Sequence, residues 1–141
     1  MPRPTHIAES VLYVDDLDRS LRFYTRLLEC PVARQDDRFS ALRINDSQVL
    51  LLFLRGRSIH AFPAADGTIP GHDGAGPLHV CFGIGPDTVD SWEDRLREQD
   101  IPVESRVQWP TGATSLYFRD PDHHAFELAT PGVFEKFLGT G

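Results

Sequence analysis

The stretch HIAESVLYVDDLDRSLRFYTRLLE (His6–Glu29) changes its pattern half-way along. From His6 to Val14, the residues Ile7, Glu9, Val11 and Tyr13 alternate with Ala8, Ser10, Leu12 and Val14, the two-residue period of a β-strand. Past Asp15, Leu17, Leu21, Tyr24 and Leu28 recur at helical spacing and leave Arg19, Arg22 and Arg26 for solvent. Asp16 stands where a short carboxylate side chain caps a helix N-terminus. A strand that runs straight into an amphipathic helix opens a β-α unit.

Further along, strands are expected around Val32, over 39–44 and over 49–54, with Asn45-Asp46-Ser47 as the hairpin turn between the last two. That completes a β-α-β-β-β unit. The second half repeats it. A strand is expected over 78–84, then a turn at Gly85-Pro86-Asp87 that ends in an N-cap, then a helix carrying Val89, Trp92 and Leu96 inward and stopping before Ile101-Pro102. Strands over 103–107, 115–119 and 125–129 follow, the last two joined at Asp120-Pro121-Asp122. Two copies of one unit in a short chain predict duplication: an α+β fold of two β-α-β-β-β modules related by a pseudo-twofold.

The expected layout is one domain over 1–141, made of a module at 5–55, a connector at 56–77, a module at 78–131 and a short tail at 132–141. The connector is rich in Gly, Pro and Ala and shows no periodicity, and connectors of that length in compact domains are more often functional than idle.

Composition narrows the function. The chain has 141 residues, ample for one core, and 21 acidic against 14 basic residues leave a formal charge of −7. That balance argues against nucleic acid or an anionic membrane surface as partner, and Arg55 and Arg57 are too short a basic cluster to reverse it. No apolar stretch of signal-peptide length follows Met1, and the longest apolar run, over 49–54, is too short to cross a bilayer. Cys30 and Cys81 do not make a secreted disulfide framework, and Cys81, in an apolar run, is expected to be an inert core residue. A cytoplasmic protein is expected.

Polar residues that interrupt apolar strands carry the chemical information, because a buried charge without a partner is costly. Glu9 lies in the first strand, His79 holds nearly the same place in the first strand of the second unit, and Glu127 sits between Phe126 and Leu128 in the last strand. Each has a bland alternative. A strand histidine is more often a hydrogen-bonded core residue than a ligand, and a strand glutamate usually faces solvent. The matching positions of Glu9 and His79 in the repeated unit raise the joint case for one imidazole and two carboxylates around a divalent metal.

ESVLYVDDLDRSLRFYTRLLE (Glu9–Glu29) resembles the opening signature of the glyoxalase/bleomycin-resistance/extradiol-dioxygenase (vicinal oxygen chelate) superfamily. GPLHVCFGI (Gly76–Ile84) resembles the start of its second module, and SLYFRDPDHHAFELATP (Ser115–Pro131) closely resembles its closing hairpin. The resemblance covers about 6–131 and implies paired β-α-β-β-β modules forming an open mixed-sheet half-barrel. It places the family's metal ligands on Glu9, His79 and Glu127. A fourth position used by some members falls near Leu51, which cannot bind metal. Many members carry histidine where this chain has Glu9, a change that makes the site harder and more anionic and leaves Zn, Mn, Fe(II), Ni and Co open as the cofactor. His123 stands where members usually place Gly; His123 and His124 are expected to be turn and strand-edge residues rather than ligands.

The resemblance implies a metal-dependent small-molecule enzyme of lyase, isomerase or dioxygenase chemistry on a substrate chelated through oxygen, with Glu9 or Glu127 doubling as a catalytic proton carrier. The alternative is a metal-free small-molecule binding or sequestering protein of the bleomycin-resistance type, since one fold serves both. Secondary expectations are a Trp109-Pro110-Thr111-Gly112 flap, Tyr117 beside Glu127, Arg119 paired with Asp120 or Asp122, and His60, Phe62 and His72 near an entrance. A twofold homodimer is expected, because open sheets leave edges to cover.

Overall fold

The computed structural model describes residues 1–133; 134–141, most of the expected tail, lie outside the described residues. Contacts divide the chain into two compact units, Met1–Gly76 and Pro77–Gly141.

In the first unit, β1 (Glu9–Val14) leads into α1 (Leu17–Leu28), followed by β2 (Val32–Gln35), β3 (Phe39–Arg43) and β4 (Val49–Leu54). The sheet order is β1-β4-β3-β2, with β1 parallel to β4 and the other pairs antiparallel. Asp16 caps α1 through a carboxylate that accepts from the Arg19 amide at 2.9 Å. Leu12 and Val14 of β1, Leu42 of β3, Leu50 and Leu52 of β4, and Tyr24 and Leu27 of α1 are all fully buried. The buried stripe of α1 is Ser20, Tyr24 and Leu27; of the residues expected on it, Tyr24 is fully buried, whereas Leu17, Leu21 and Leu28 are only half-buried, because the helix is turned toward the Ser20–Leu27 side. The opposite face of the sheet carries a second apolar cluster, Ala41, Leu51 and Phe53, with Val11, Tyr13, Phe39 and Val49 against it.

The connector is more ordered than its sequence predicts. Phe62–Ala64 (β5) and Gly67–Ile69 (β6) form a small antiparallel hairpin. Three-residue strands are too short to generate a readable period. The connector is also seated closely: a Cβ on Gly74 would collide with the Tyr13 ring, and one on Gly71 with the Ile59 carbonyl.

The second unit has β7 (His79–Gly83), α2 (Val89–Glu98), β8 (Ser105–Gln108), β9 (Thr114–Arg119) and β10 (Ala125–Ala129). Its sheet order, β7-β10-β9-β8, with β7 parallel to β10, repeats that of the first unit. The fold is α+β, two β-α-β-β-β units with open mixed sheets. The N-cap of α2 is Thr88 rather than Asp87; its hydroxyl donates back to the Gly85 carbonyl at 2.7 Å and makes no cap bond to the helix. Of the residues expected inward on α2, Leu96 is fully buried, whereas Val89 and Trp92 are half-buried. β8 starts at Ser105, two residues later than the sequence suggests, and Val103 is exposed ahead of it.

The β9–β10 turn is held by the Asp120 carboxylate, which accepts from the amides of Asp122 and His124 at 3.0 and 2.8 Å. His123 takes φ 64°, a left-handed conformation that glycine adopts most readily. His124 is fully buried and its Nδ1 accepts from the Leu78 amide at 2.8 Å, tying the turn to the start of β7.

Candidate functional site

The register of the second sheet decides which side chains meet. Glu127 lies opposite Cys81 on β7 and Tyr117 on β9, and Ala125 lies opposite His79 and Arg119. Residues two apart on a strand share a face, so His79, Cys81, Ser115, Tyr117, Arg119 and Glu127 stand on one side of this sheet. On the other side Phe118 stacks on Phe126, both fully buried in the core, and the half-buried Phe82 meets Phe126 edge-on.

Glu127 is buried, at 3% exposure, in the middle of this polar face. A carboxylate so placed needs partners. One oxygen, Oε2, accepts from the Ser115 hydroxyl at 2.7 Å, and that hydroxyl in turn accepts from the Trp109 indole N–H at 2.9 Å. The other oxygen, Oε1, lies 3.3 Å from Nε2 of His79. The histidine's second nitrogen, Nδ1, is 2.8 Å from the Ala125 carbonyl. A carbonyl only accepts, so Nδ1 bears a hydrogen and Nε2 is the nitrogen turned toward the carboxylate. Nε2 and Oε1 are both lone-pair atoms in the absence of a hydrogen, so their approach is stable only with a proton or a cation between them. The arrangement of an imidazole whose far nitrogen is fixed by a backbone carbonyl, with a carboxylate held by a hydroxyl, is the usual support for a metal ligand pair.

The neighbours feel this carboxylate. Burial first, and then Glu127, push the Tyr117 phenol upward. Burial and then Glu127 push the Cys81 thiol up to about 12. Although its sulfur is partly desolvated beside Glu127, the residue as a whole is exposed on the polar face and not in the core the sequence suggests, because its neighbours Val80 and Phe82 take the core side of a strand whose residues alternate. Arg119 also departs from expectation. Its guanidinium pairs with Glu104 at 2.8 Å and donates to the His123 carbonyl at 3.1 Å, since Asp120 and Asp122 are buried in the turn. Trp109 packs against Ala113, Ala129 and Val133.

Glu9 belongs to the first unit. It is exposed at the start of β1, opposite Val49, and lines a cavity of about 560 Å³. The repeated register makes the comparison between the units definite. Glu9 pairs with Val49 and Leu51 follows two residues on; His79 pairs with Ala125 and Glu127 follows two residues on. Glu9 and His79 thus hold corresponding places, as do Leu51 and Glu127. Leu51, 8% exposed, belongs to the apolar cluster with Ala41 and Phe53 and carries no donor atom. Of the three residues expected as ligands, His79 and Glu127 stand together within one unit. Among the described residues, no group of three or more His, Cys, Asp and Glu side chains is placed to hold a metal.

The remaining walls of the first unit's cavity include Tyr13, Arg38, Phe39, Phe53 and His72. The Tyr13 hydroxyl and Nδ1 of His72 are hydrogen-bonded at 2.8 Å, and the His72 ring stands edge-on to Phe53. His60 is exposed and does not line the cavity; Phe62 is exposed beneath the Arg38 guanidinium.

A family model described as the glyoxalase/bleomycin resistance protein/dioxygenase superfamily matches residues 3–128. The chain belongs to that superfamily. A curated relative, the metallothiol transferase FosB of Bacillus licheniformis, is 26% identical over 124 residues, 87% of this chain and 73% of that protein. Among solved structures, the lactoylglutathione lyase of Agrobacterium tumefaciens is similar with a TM-score of 0.82 at 32% identity, covering 92% of this chain and 96% of that one. The oxidase ChaP-H2 shares the fold alone, at 19% identity and a TM-score of 0.64 over 92% of this chain and 96% of its own. The relatives of this chain thus include a lyase and a transferase. No helix among the described residues is long and apolar enough to cross a membrane.

Ser115 and Trp109 are the functional neighbours that the sequence reading missed in their actual roles. Ser115 is a serine on the same face of its strand as Tyr117, two residues away, and that alternation was the available signal.

Proposed function

We propose that this chain is a metal-dependent enzyme of the glyoxalase/dioxygenase type, acting on a small molecule chelated through oxygen, with Glu9, His79 and Glu127 as the ligands of a divalent ion. The observation that carries the reading is the 3.3 Å approach of His79 Nε2 and Glu127 Oε1 while His79 Nδ1 is committed to a carbonyl. A carboxylate oxygen and an imidazole nitrogen turned toward each other can share a divalent cation. When bound, the ion supplies Lewis-acid polarisation of substrate oxygens.

The chain's own residues hold the rest. Ser115 occupies Oε2 of Glu127 and so leaves Oε1 as its ligand atom, while the Ala125 carbonyl keeps the His79 ring in the tautomer that exposes Nε2. Tyr117, with its phenol kept neutral, is a hydrogen-bond donor beside the site. Glu9 and Glu127 are the groups suited to carry a proton to or from substrate. The metallothiol transferase and lactoylglutathione lyase relatives support an enzyme over a carrier. The second reading, a metal-free binder, is favoured by the aromatic cavity of the first unit and by Leu51 at the place corresponding to Glu127. We place the protein in the cytoplasm as a homodimer, the exposed edge strand β2 with Val32 being one edge left to cover.

The test is calorimetric titration of chelator-treated protein with Zn, Mn, Fe(II), Ni and Co, alongside thermal melting. One of these ions is expected to bind at one site per chain and to raise the melting temperature. His79→Ala, Glu127→Gln and Glu9→Gln are each expected to weaken it by ten- to a hundredfold or more. Melting that ignores both chelator and every ion, in protein purified without a tag, would overturn the enzyme reading in favour of the binder.

A further inference from the structure

The cavity of the first unit has a cation at one end and a carboxylate at the other. Arg38, in the turn before β3, lays its guanidinium 5.4 Å from the centroid of Phe39, 5.9 Å from that of Phe53 and 4.5 Å from that of Phe62. These rings remove one side of the guanidinium from water. Of its donors, one is used, by the buried Ser58 hydroxyl at 3.3 Å. The acidic residues beside it are engaged elsewhere. Asp36 accepts from the backbone amides of Arg38 and Phe39, and Asp37 pairs with Arg57. Among the described residues, Arg38 has no carboxylate partner.

Register fixes the other end. Phe39 lies opposite Phe53, which lies opposite Tyr13, four residues along β1 from Glu9. At about 3.3 Å per residue, Glu9 is roughly 13 Å from the Tyr13 end of that strand. Between them the wall is apolar, Val11 and Leu51, and then aromatic, Phe39 and Phe53 stacked at 17° with centroids 5.2 Å apart. The cavity therefore offers a guanidinium held against aromatic rings, the Phe39–Phe53 pair and then the Glu9 carboxylate.

We propose that this cavity binds an aromatic carboxylate, with the carboxylate at Arg38, the ring against Phe39 and Phe53, and the far end of the molecule directed toward Glu9. A planar guanidinium with unused N–H groups matches a carboxylate in two parallel hydrogen bonds. In a chain of net charge −7, one cation inside a cavity, with no carboxylate partner among the described residues, selects for an anion locally against the general repulsion. Within the proposed enzyme this names the substrate class. Binding at Arg38 itself does not depend on the metal.

The probe is 2-naphthoate, with 2-naphthamide as its neutral isostere, measured by calorimetry and by backbone amide shifts on chelator-treated full-length protein. Naphthoate is expected to bind at least tenfold more tightly than naphthamide and to shift the amides of Phe39 and Phe53 first. Arg38→Met, which keeps the apolar stem, is expected to remove that preference. The same naphthoate affinity is expected in Glu127→Gln, so a failure of the metal reading leaves this result intact. Equal affinity for acid and amide in the parent protein, which needs no variant to fold, or shifts confined to the second unit, would overturn the proposal.

Discussion

Replacing Ser115 by Ala removes a single oxygen at the centre of the polar chain from Trp109 to His79. That oxygen is fully buried, donates to Glu127 at 2.7 Å and accepts from Trp109 at 2.9 Å. A hydrogen bond to a charged group contributes about 1.5–3 kcal/mol. The indole N–H left without its acceptor costs about 1 kcal/mol more, the low end of the range, because Trp109 is half-buried and water reaches it. The sum, about 2.5–4 kcal/mol, is a large part of the 5–15 kcal/mol that a domain of this kind possesses. Urea unfolding of metal-free Ser115→Ala at pH 7 reads it directly. Trp109→Phe supplies the second leg of a double-mutant cycle: about 1 kcal/mol in the parent, close to nothing once Ser115 is gone. A loss below about 1 kcal/mol for Ser115→Ala would refute the claim that Ser115 holds the Glu127 carboxylate in place, and strictly additive effects of the two changes would refute its bond to Trp109.

Gly74→Ala is expected to cost about 1–3 kcal/mol, since its new methyl meets the Tyr13 ring within an aromatic group that includes Phe53 and His72; denaturant unfolding checks this. His123→Gly is expected to gain up to about 1 kcal/mol by relieving the left-handed backbone at φ 64°, read as a higher melting temperature with unchanged far-ultraviolet circular dichroism. Cys81, with its thiol pushed up to about 12, is expected to alkylate with iodoacetamide at pH 8 roughly a thousandfold more slowly than an unperturbed cysteine, although it is exposed. Raising the pH to 10 keeps it mostly protonated, because a raised pKa favours the neutral form up to that value. Rapid labelling of Cys81 in metal-free protein at pH 8, mapped by mass spectrometry, would contradict the burial and the Glu127 charge invoked for it.

Much of the architecture was legible because its signals are local. The alternation through Val11 and Tyr13, the helical spacing of Leu17, Leu21 and Tyr24, the Asp16 cap and the turn at Asp120-Pro121-Asp122 each rest on a few adjacent residues. The β5–β6 hairpin was not legible, since three residues per strand carry no period. Asp87 has the residue type of a cap, but the N-cap is Thr88, one residue later, and the helix begins at Val89. Arg119 was assigned to Asp120 or Asp122 by nearness in sequence, whereas Glu104 reaches it from the approach to β8, which pairs with β9.

The candidate site divides along the same line. By itself, the sequence determined the repeated β-α-β-β-β order and marked Glu9, His79 and Glu127 as polar interruptions of apolar strands, since the cost of burying charge makes such positions conspicuous. Only the tertiary structure decided what surrounds them. Strand register, a long-range property, put Cys81 and Tyr117 opposite Glu127 and set the carbonyl of Ala125, beside His79 in the sheet, under its Nδ1. Packing of the 109–115 hairpin delivered Ser115 to the free oxygen of Glu127. The charge state of Arg38's surroundings likewise depends on which acids are already engaged, and hydrogen bonds between residues far apart in the chain leave no trace in composition or spacing.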